Sequence, residues 1–480
     1  MTLRRTQSLC PVCLRRIEAR YVQSVTDART VMLRKTCPDH GTFSVPVWRD
    51  HLTNGGEGAA ATPPFATWSR PKNPSYPANP RTPIRDGCPY DCGLCPAHAQ
   101  HTCTGLFEIT KRCDMACPVC YAQAGSVSNP QCCEAGDIPL DVIAMQMDIL
   151  KEASGPCNVQ ISGGEPTVRD DLPQIIRMAR QHGFGLVQVN TNGLRLARQQ
   201  GYARNLRDAG LDSVYLQWDG VRESSFITLR GRECLEFKRR AVRNCVDAGL
   251  GVVLVATVVR GVNEGELGDL LRLALELGPA VRGLHIQPAA FFGRYPWQLE
   301  EAPRLTLPDV MAALTNQAPE LVSPSHLHPP GCENELCSFS AVYRRVQHNG
   351  LPGLEWLADT GQSCCSPVAQ PKEEAVPPSA EEGARKAKQF VAAHWKGGNG
   401  ADSNALSDCG ADGFSRFLAQ AGAEQRFTLS AMAFQDALSL DLDRVRGCCI
   451  HVVRPDGRMI PFCLHNLTAS NGTRLYGEDV

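Results

Sequence analysis

The sequence lacks an excess of charge of either sign. Its 49 basic and 50 acidic residues leave a formal net charge of −1 over 480 residues. A protein that binds nucleic acid or an anionic membrane through a general electrostatic field carries a clear positive excess. The balance therefore predicts no nucleic-acid partner.

Long apolar runs are also missing. No window reaches the ~18 uninterrupted apolar residues that a membrane-spanning helix needs. The amino-terminal segment MTLRRTQSLCPVC lacks the apolar core of a secretion signal. These features predict no transmembrane segment and a cytoplasmic protein. In a reducing compartment, cysteines serve as metal ligands or catalytic groups more often than they form disulfides.

Cysteine is what the sequence has in quantity, with 23 residues. This is about 5% of the chain, below the ~8–10% that is typical of disulfide scaffolds. Many of the cysteines fall into short groups with spacings of two or three residues. We interpret these groups as metal sites.

Between residues 104 and 290, short β-rich runs alternate with helical stretches, which is typical of repeated βα units around a parallel sheet. Six units fit a partial (β/α)6 barrel better than a full eight-stranded one. The predicted fold class is α/β, with small cysteine-rich modules at both ends of the chain. We predict strands at 105–110, 158–162, 185–190, 213–218, 251–259 and 283–288, with helices including 140–153, 171–182, 236–248 and 265–277.

Cys113, Cys117 and Cys120 follow the first predicted strand directly. Parallel βα folds carry their chemistry at the carboxyl ends of the strands. Three thiolates in one loop can hold three irons of a [4Fe–4S] cluster and leave the fourth iron open, whereas a fourth thiolate would close the cluster. A zinc ribbon would instead have paired Cys-x2-Cys motifs.

The second predicted strand is followed directly by Gly163-Gly164-Glu165. Glycines let the backbone approach a ligand closely, and a carboxylate complements an ammonium group. We therefore predict that these residues, together with Asn192 after the third strand, bind a cofactor. Other polar residues at strand ends could line a ligand site or simply cap turns, namely Thr191, Gln217, Asp219 and Gln287.

The strings CDMACPVCY and SGGEPT resemble the radical S-adenosylmethionine (SAM) superfamily. The resemblance implies that the open iron at residues 113–120 chelates SAM and that residues 163–165 contact its methionine end. It also implies reductive cleavage of SAM to a 5′-deoxyadenosyl radical, which activates a C–H bond.

The string CPYDCGLCPAHAQHTC, the amino-terminal CPVC…CPDHG module and the final GCCIHVV…PFC extend the resemblance. With them, the chain resembles the tetraether lipid synthases and class D radical SAM methyltransferases, including the TrsS-like bacterial branch. This resemblance implies C–C bond formation or methylation at unactivated carbon. It further implies a small-molecule or lipid-like substrate and a low-potential electron donor. The balanced composition does not favour a lipid.

A second group, formed by Cys88, Cys92, Cys95 and Cys103, comes just before the barrel. Its four thiols are enough to close an auxiliary [4Fe–4S] cluster.

The N-terminal residues Cys10, Cys13 and Cys37 are a third candidate metal site. With His40 they would form a Cys3His set suited to structural zinc. The family resemblance implies instead a mononuclear, rubredoxin-like iron held by four cysteines. We predict the three cysteines as ligands, leave zinc and iron open, and do not include His40, which could be a surface turn residue.

The remaining C-terminal cysteines fit further auxiliary clusters, but any four of them could be chosen: Cys332, Cys337, Cys364, Cys365, Cys448, Cys449 and Cys463. They could equally be buried as small apolar side chains. An alternative function is a non-catalytic electron-transfer or metal-scaffold protein whose clusters are all closed. The open position at 113–120 and the Gly-Gly-Glu motif favour the enzyme.

The predicted domain organisation has seven segments. They are a metal knuckle module (1–50), a linker or irregular wrap (51–83), an auxiliary iron–sulfur segment (84–103), the barrel (104–290), a cysteine-bearing extension (291–368), a flexible linker (369–401) and a cysteine-bearing C-terminal module (402–480).

Overall fold

The computed structural model describes residues 2–51, 62–125, 136–357, 377–396 and 425–477. Five cysteines of the sequence, at positions 132, 133, 364, 365 and 409, lie outside these ranges. Parts of the predicted segments 51–83, 369–401 and 402–480 also lie outside them.

Residues 2–49 form an antiparallel sheet of four strands in chain order. Buried and exposed residues alternate along its second and third strands, so that Tyr21 and Leu33 face the interior. These two strands form a hairpin, and the cysteines lie at the two flanking turns. The strands are β1 (Thr2–Leu9), β2 (Arg16–Gln23), β3 (Thr30–Cys37) and β4 (Gly41–Arg49).

Residues 104–288 form a partial barrel of six consecutive parallel strands. These are β5 (Thr104–Glu108), β6 (Asn158–Ser162), β7 (Leu186–Thr191), β8 (Ser213–Gln217), β9 (Gly251–Val258) and β10 (Val281–Pro288). The helices are α1 (Leu140–Ser154), α2 (Leu172–Gln181), α3 (Leu194–Arg198), α4 (Tyr202–Asp208), α5 (Glu223–Arg230), α6 (Leu235–Asp247) and α7 (Leu267–Glu276). The six predicted strands and four predicted helices are confirmed. The short helices α3, α4 and α5 were not among the predicted elements.

Each barrel strand has one face on the helices and one on the barrel interior, because successive side chains alternate. Phe107, Val159 and Val189 belong to the large apolar core. Their alternating neighbours, such as Ser162 and Asn190, face the interior, where polar side chains bond one another across the strands. The side chains that face the helices therefore stabilise the fold. Those that face the barrel interior can differ in polarity without loss of this packing.

C-terminal residues extend the barrel sheet at both edges, which the sequence patterns did not predict. The added strands are β11 (Ser338–His348), β12 (Leu351–Trp356), β13 (Arg426–Met432), β14 (Ile450–Val453) and β15 (Met459–Pro461). β13 pairs in parallel with β10, and β14 pairs in parallel with β5. β14 and β15 form an antiparallel hairpin around the Pro-Asp-Gly turn.

The remaining helices are α8 (Leu307–Gln317), α9 (Ala380–Trp395), α10 (Leu442–Arg446) and α11 (Phe462–His465), and short 3-10 turns occur at Pro166–Val168, Glu264–Glu266 and Pro324–His326. α9 lies within the segment predicted to be a flexible linker. Its N-cap Ser379 accepts a hydrogen bond from the Glu382 backbone, and its last residue, Trp395, packs on Tyr215 and His285. These contacts stabilise α9 in spite of its polar composition. Among the described residues, the helices are too short or too polar to cross a bilayer.

Candidate active site and metal centres

Cys113, Cys117 and Cys120 lie in the loop that follows β5, at the carboxyl edge of the barrel. All three side chains are partly exposed. Burial raises the pKa of Cys113 and Cys117, and the Arg230 guanidinium opposes that rise at Cys117. Three neighbouring thiols beside a cation suit an anionic iron–sulfur cluster with one open iron.

Two arginines hold this loop in place. Arg230 at the end of α5 donates to the Val119 carbonyl at 2.9 Å. Arg294 donates from Nε to the Cys117 carbonyl at 2.8 Å, and its backbone exchanges two hydrogen bonds with Cys120. The sequence analysis missed both residues, because nothing in the local sequence marks either one as a partner of the loop.

Arg230 also forms a buried ion pair with Asp219. The guanidinium donates to both carboxylate oxygens of Asp219, at 2.7 and 2.8 Å. The predicted strand-end residue Asp219 therefore positions the cysteine loop through Arg230.

Gly163 and Gly164 pack directly against the cysteine loop. A Cβ atom at Gly163 would overlap the Thr110 carbonyl, and one at Gly164 would overlap the Arg112 carbonyl. The backbone N–H groups of Gly164 and Glu165 donate to those same carbonyls at 2.8 and 2.9 Å. The glycines thus allow a close approach, but here to the loop that follows β5.

The Glu165 carboxylate links the ends of β6 and β7. It is 1% exposed. One oxygen accepts hydrogen bonds from the backbone N–H and hydroxyl of Thr167 and from the Thr191 hydroxyl, at 3.1, 2.6 and 2.7 Å. The other accepts from the Asn192 backbone at 2.7 Å. Burial raises the pKa of Glu165, although these donors oppose the rise.

Asn192 is held between the cysteine loop and α6. Its side-chain amide donates to Asp114 at 2.7 Å. Its carbonyl accepts a hydrogen bond from the buried Lys238 ammonium at 3.0 Å, and Lys238 also donates to Gln217. Burial lowers the pKa of Lys238 to about 8. The predicted residues Glu165, Asn192 and Gln217 therefore belong to one connected network.

Cys88, Cys92 and Cys95 are buried and interact with one another. A hydrogen bond between Cys88 and Cys92 lowers the pKa of Cys88, while it raises that of Cys92. Tyr476 near the C-terminus holds the segment, because its hydroxyl accepts from the Cys92 backbone at 3.0 Å. Three buried thiols in one turn fit an iron–sulfur cluster better than they fit disulfides.

Cys103 differs from the prediction that groups it with those three cysteines. Its Sγ lies 2.6 Å from the Cys332 Sγ, and Cys449 completes a set whose sulfurs all lie within 4.8 Å of one another. The cause is strand pairing. Cys103 directly precedes β5, and its backbone N–H donates to the Cys449 carbonyl at 2.8 Å, just before β14.

The N-terminal site brings together Cys10, Cys13, Cys37 and His40, whose ligand atoms lie within 4.8 Å of one another. The His40 Nδ1 is 3.5 Å from the Cys37 sulfur and 3.7 Å from that of Cys10. The hydrogen bond from His40 lowers the pKa of Cys37 to about 6, which favours the thiolate that a metal requires. This Cys3His set suits tetrahedral zinc, and His40, which the prediction omitted, completes it.

Two protein families match segments of the chain. Residues 107–274 match the radical SAM superfamily, and residues 2–49 match the zinc ribbon domain found at the N-terminus of HMPTM proteins. The second match supports zinc over mononuclear iron at the Cys3His set.

A 7,8-dihydro-6-hydroxymethylpterin dimethyltransferase from Methanocaldococcus jannaschii is 31% identical to the chain, over 96% of the chain and 93% of that relative. The chain belongs to the radical SAM superfamily. As a radical SAM enzyme of the methyltransferase group, it uses a [4Fe–4S] cluster and SAM for C–H activation. The non-catalytic alternative has no support.

Other relatives cover a smaller share of the chain. A probable GTP 3′,8-cyclase from Methanothermobacter thermautotrophicus is 28% identical over 38% of the chain and 58% of that relative. The crystal structure of HydG, a maturase of the [FeFe]-hydrogenase, has a TM-score of 0.36 at 12% identity, over 46% of the chain and 51% of HydG.

Proposed function

We propose that the chain is a radical SAM methyltransferase that acts on a reduced pterin or a closely similar heterocycle. The observation that carries this proposal is the extent of the match to the pterin dimethyltransferase, which spans 96% of the chain. A match to the barrel alone would support radical SAM chemistry only. The match beyond the barrel includes the segments that contribute walls to the barrel interior.

The polar interior of the barrel supports a small polar substrate over a lipid. Gln160 donates to Gln188 at 2.7 Å, and Gln188 donates to Ser213 at 2.8 Å. Further round, His285 bonds Ser430 at 2.8 Å, and burial lowers its pKa to about 4, so the ring is neutral. A row of buried amides and hydroxyls would be costly against an alkyl chain.

One wall of the interior is apolar and aromatic. Leu106, Phe292, Val452 and Phe462 form a buried cluster, and the Tyr121 ring packs on Phe462. An apolar wall opposite polar side chains suits a flat heterocycle, whose faces are apolar and whose edges form hydrogen bonds.

Glu108, at the end of β5, is the best candidate for binding the edge of such a ring. Its carboxylate lies 3.1 Å from His465 Nε2. Burial would raise the pKa of Glu108, but His465 and the nearby cations Arg474 and Lys111 hold it below its usual value. An ionised carboxylate can accept both N–H groups of an aminopyrimidinone edge, as in a pterin.

Asn190 offers a second polar contact. Its amide nitrogen donates to Ser162 at 3.2 Å, and Ser162 also bonds the Tyr121 hydroxyl at 2.9 Å. Its buried Oδ1 has no hydrogen-bond partner among the described residues. A ligand N–H would satisfy this acceptor.

We further propose that Cys113, Cys117 and Cys120 ligate the SAM-cleaving cluster and that Gly163, Gly164, Glu165 and Asn192 shape the SAM site. Cys88, Cys92 and Cys95 would ligate an auxiliary cluster, and a low-potential donor would reduce the enzyme. The division into modules predicted from the sequence is retained as a proposal, except that C-terminal strands extend the barrel sheet at both edges.

The test uses anaerobically reconstituted enzyme, dithionite, SAM and 7,8-dihydro-6-hydroxymethylpterin deuterated at its ring C–H positions. We expect deuterium in the 5′-deoxyadenosine, because the radical abstracts hydrogen from the methylated carbon. This readout does not depend on the source of the methyl group. Replacing the three loop cysteines by alanine should abolish 5′-deoxyadenosine formation.

Glu108→Gln should weaken pterin binding by about tenfold or more, because a charged acceptor for two N–H groups is lost. Glu152→Gln is the matched control, since Glu152 is exposed and, among the described residues, pairs with Arg81. If no deuterium passes from the pterin to 5′-deoxyadenosine, the pterin is rejected as the substrate. Turnover that persists without the loop cysteines would reject the cluster assignment.

A further inference from the structure

The N-terminal ribbon, residues 2–49, carries a positive excess although the chain as a whole has a net charge of −1. It contains nine lysine and arginine residues and three acidic residues, an excess of six positive charges. Asp39 pairs with Arg15 at 2.7 Å. Asp27 pairs with Arg29 at 3.6 Å. Most of the positive charge of the ribbon is therefore not compensated by its own acidic side chains.

Three of the arginines form a row across the outer face of the ribbon, the face opposite Tyr21 and Leu33. Arg5 on β1 lies opposite Arg20 on β2, and Arg20 lies opposite Arg34 on β3. All three side chains are exposed, and among the described residues none of them has a hydrogen-bond or ion-pair partner. Their Cα atoms span two strand spacings, about 10 Å. Like charges directly opposite each other weaken an antiparallel pair, so a role in folding does not explain the row.

Apolar side chains lie beside the arginine row. Val22 on β2 lies opposite Met32 on β3, one outward-facing position along from the row, and both are partly exposed. Leu3 on β1 is 40% exposed, and Val25 in the turn after β2 is fully exposed. Arginines next to exposed apolar side chains are typical of protein–protein interfaces.

The aromatic side chains of the ribbon lie on the opposite face, in strands that the structure describes throughout. Tyr21 and Trp48 are buried, and Phe43 lies opposite the buried Lys35. A nucleic acid on the arginine row would therefore have no ring on which to stack its bases. The outer face suits an acidic protein better than it suits a single-stranded nucleic acid.

The outer face continues to the cysteine segment that precedes the barrel. Arg16 points to the same side of β2 as Arg20, because outward positions alternate along the strand. Its guanidinium donates to the Cys88 carbonyl at 2.9 Å and to the Asp86 carbonyl at 3.0 Å. The four residues from Arg16 to Arg20 span about 13 Å. A protein bound on the row would therefore lie beside the proposed cluster ligands of this segment.

We propose that the outer face of the ribbon, through Arg5, Arg20 and Arg34, docks the acidic protein that supplies electrons to the enzyme. This inference rests on the proposed function in one respect, namely that a low-potential donor reduces the enzyme. The electron step changes no covalent bond. The reduced donor loses one electron, and an oxidised [4Fe–4S]²⁺ cluster of the enzyme gains it and becomes [4Fe–4S]⁺. The arginines steer the acidic donor to the ribbon and orient it there.

The first measurement is binding without turnover. The probe is oxidised plant-type ferredoxin, a small acidic [2Fe–2S] protein, and the enzyme is the full chain after anaerobic reconstitution. Replacing Arg5, Arg20 and Arg34 together by glutamine should raise the Kd at low salt by about tenfold or more. Between low salt and about 0.15 M salt, the Kd of the parent protein should rise steeply and that of the triple variant much less.

The second measurement is the rate at which reduced ferredoxin reduces the enzyme, followed by anaerobic stopped-flow absorbance. The second-order rate constant should fall by about tenfold or more in the triple variant. Saturating dithionite, a small reductant that needs no docking face, should give equal 5′-deoxyadenosine formation in the variant and the parent protein. If dithionite gives none with either protein, the cluster assignment fails, while the binding measurement still decides the docking face.

The matched control replaces Arg177, Arg239 and Arg243 together by glutamine. These arginines are exposed on the barrel helices α2 and α6, and the change in net charge is the same. Their Kd and rate constant should equal those of the parent protein. Equal losses in the two triple variants would overturn the proposal. So would a ferredoxin that neither binds nor reduces the parent protein, or a single-stranded RNA that binds through the row and is not displaced by ferredoxin.

Thermal unfolding checks that the row itself has been tested. The variant without the three ribbon arginines should be at least as stable as the parent protein, because these charges repel one another. If that variant does not fold, Arg20→Gln alone replaces it in both measurements. A Kd and a rate constant equal to those of the parent protein would then contradict the proposal.

Discussion

At the residue scale, Gly163 and Gly164 have a more specific role than their motif predicts. The sequence indicates backbone freedom near a ligand. In the structure, both residues lie where a side chain would collide with carbonyl groups of the loop after β5. Gly163 also has a φ of +126°, a conformation that favours glycine. Because these two residues have no side chain, β6 and the cysteine loop can lie this close together.

Gly164→Ala should displace the cysteine loop. The new methyl group meets backbone, which cannot move aside as a flexible side chain can, so we expect a cost of about 1–3 kcal/mol. SAM cleavage should fall with it, measured as 5′-deoxyadenosine formed under dithionite. Gly265→Ala is the control, since a Cβ there meets nothing within 4 Å. Equal activity in the two variants would contradict this role.

At the element scale, the N-terminus of α8 joins three parts of the chain. Asp309 forms a capping box with Thr306. The same carboxylate pairs with Arg49 at the end of β4 at 2.6 Å, with His51 at 2.8 Å and with Arg260 after β9 at 2.8 Å. Burial would raise the pKa of Asp309, but these partners, His51 foremost, lower it to about 2. One helix cap thus connects the N-terminal sheet to the barrel.

Asp309→Asn should reduce stability by about 2 kcal/mol near neutral pH, since one pKa unit corresponds to about 1.4 kcal/mol. The folded-state pKa lies below the usual value. The stabilisation is therefore present above about pH 4 and is lost as the pH falls through about 2. Thermal unfolding is measured under anaerobic conditions. The difference in unfolding free energy between Asp309→Asn and the parent protein should be constant from about pH 5 to about pH 8.

Asp269→Asn serves as the control for this experiment, because its pair with Arg272 is exposed. Its effect should stay within about 0.5 kcal/mol. A difference for Asp309→Asn that disappears already near pH 6 would rule out the ionised carboxylate as its source.

At the scale of the whole molecule, the four-stranded ribbon of residues 2–49 is docked on the C-terminal segment by buried polar contacts. Asp441 accepts hydrogen bonds from Thr6 and Tyr21, both at 2.5 Å. Lys35, which is 2% exposed, donates to Ser8 at 2.9 Å and to the Ala437 carbonyl at 2.6 Å. Burial lowers the pKa of Lys35 to about 7. The interface therefore requires side chains from β1, β2 and β3 together.

Removing the ribbon metal should loosen both sides of the interface. Cys37→Ser takes away a proposed metal ligand from a sheet that is too small to fold securely without metal. Hydrogen exchange should become faster in β1–β4 and in residues 436–441, while β6–β8 keep their protection. Cys245→Ser should leave all these regions unchanged. Normal protection at residues 436–441 in Cys37→Ser would show that the docking does not need the folded ribbon.

The sequence by itself determined the local features. Alternating β-rich and helical runs determined the six parallel strands of the barrel, because hydrophobic periodicity follows directly from strand and helix geometry. The cysteine spacing and the position of Gly-Gly-Glu indicated the edge of the barrel at which we propose that the chemistry occurs. These signals lie within a few residues of each other, so no long-range information was needed.

Only the tertiary structure decided which distant residues meet. Cys103 joins Cys332 and Cys449 because β5 pairs with β14. Arg230 and Arg294 reach the cysteine loop from elements far along the chain. Helix α9 forms in a polar segment because Trp395 packs on Tyr215 and His285. In each case the free energy comes from contacts across long sequence separations, which local patterns do not record.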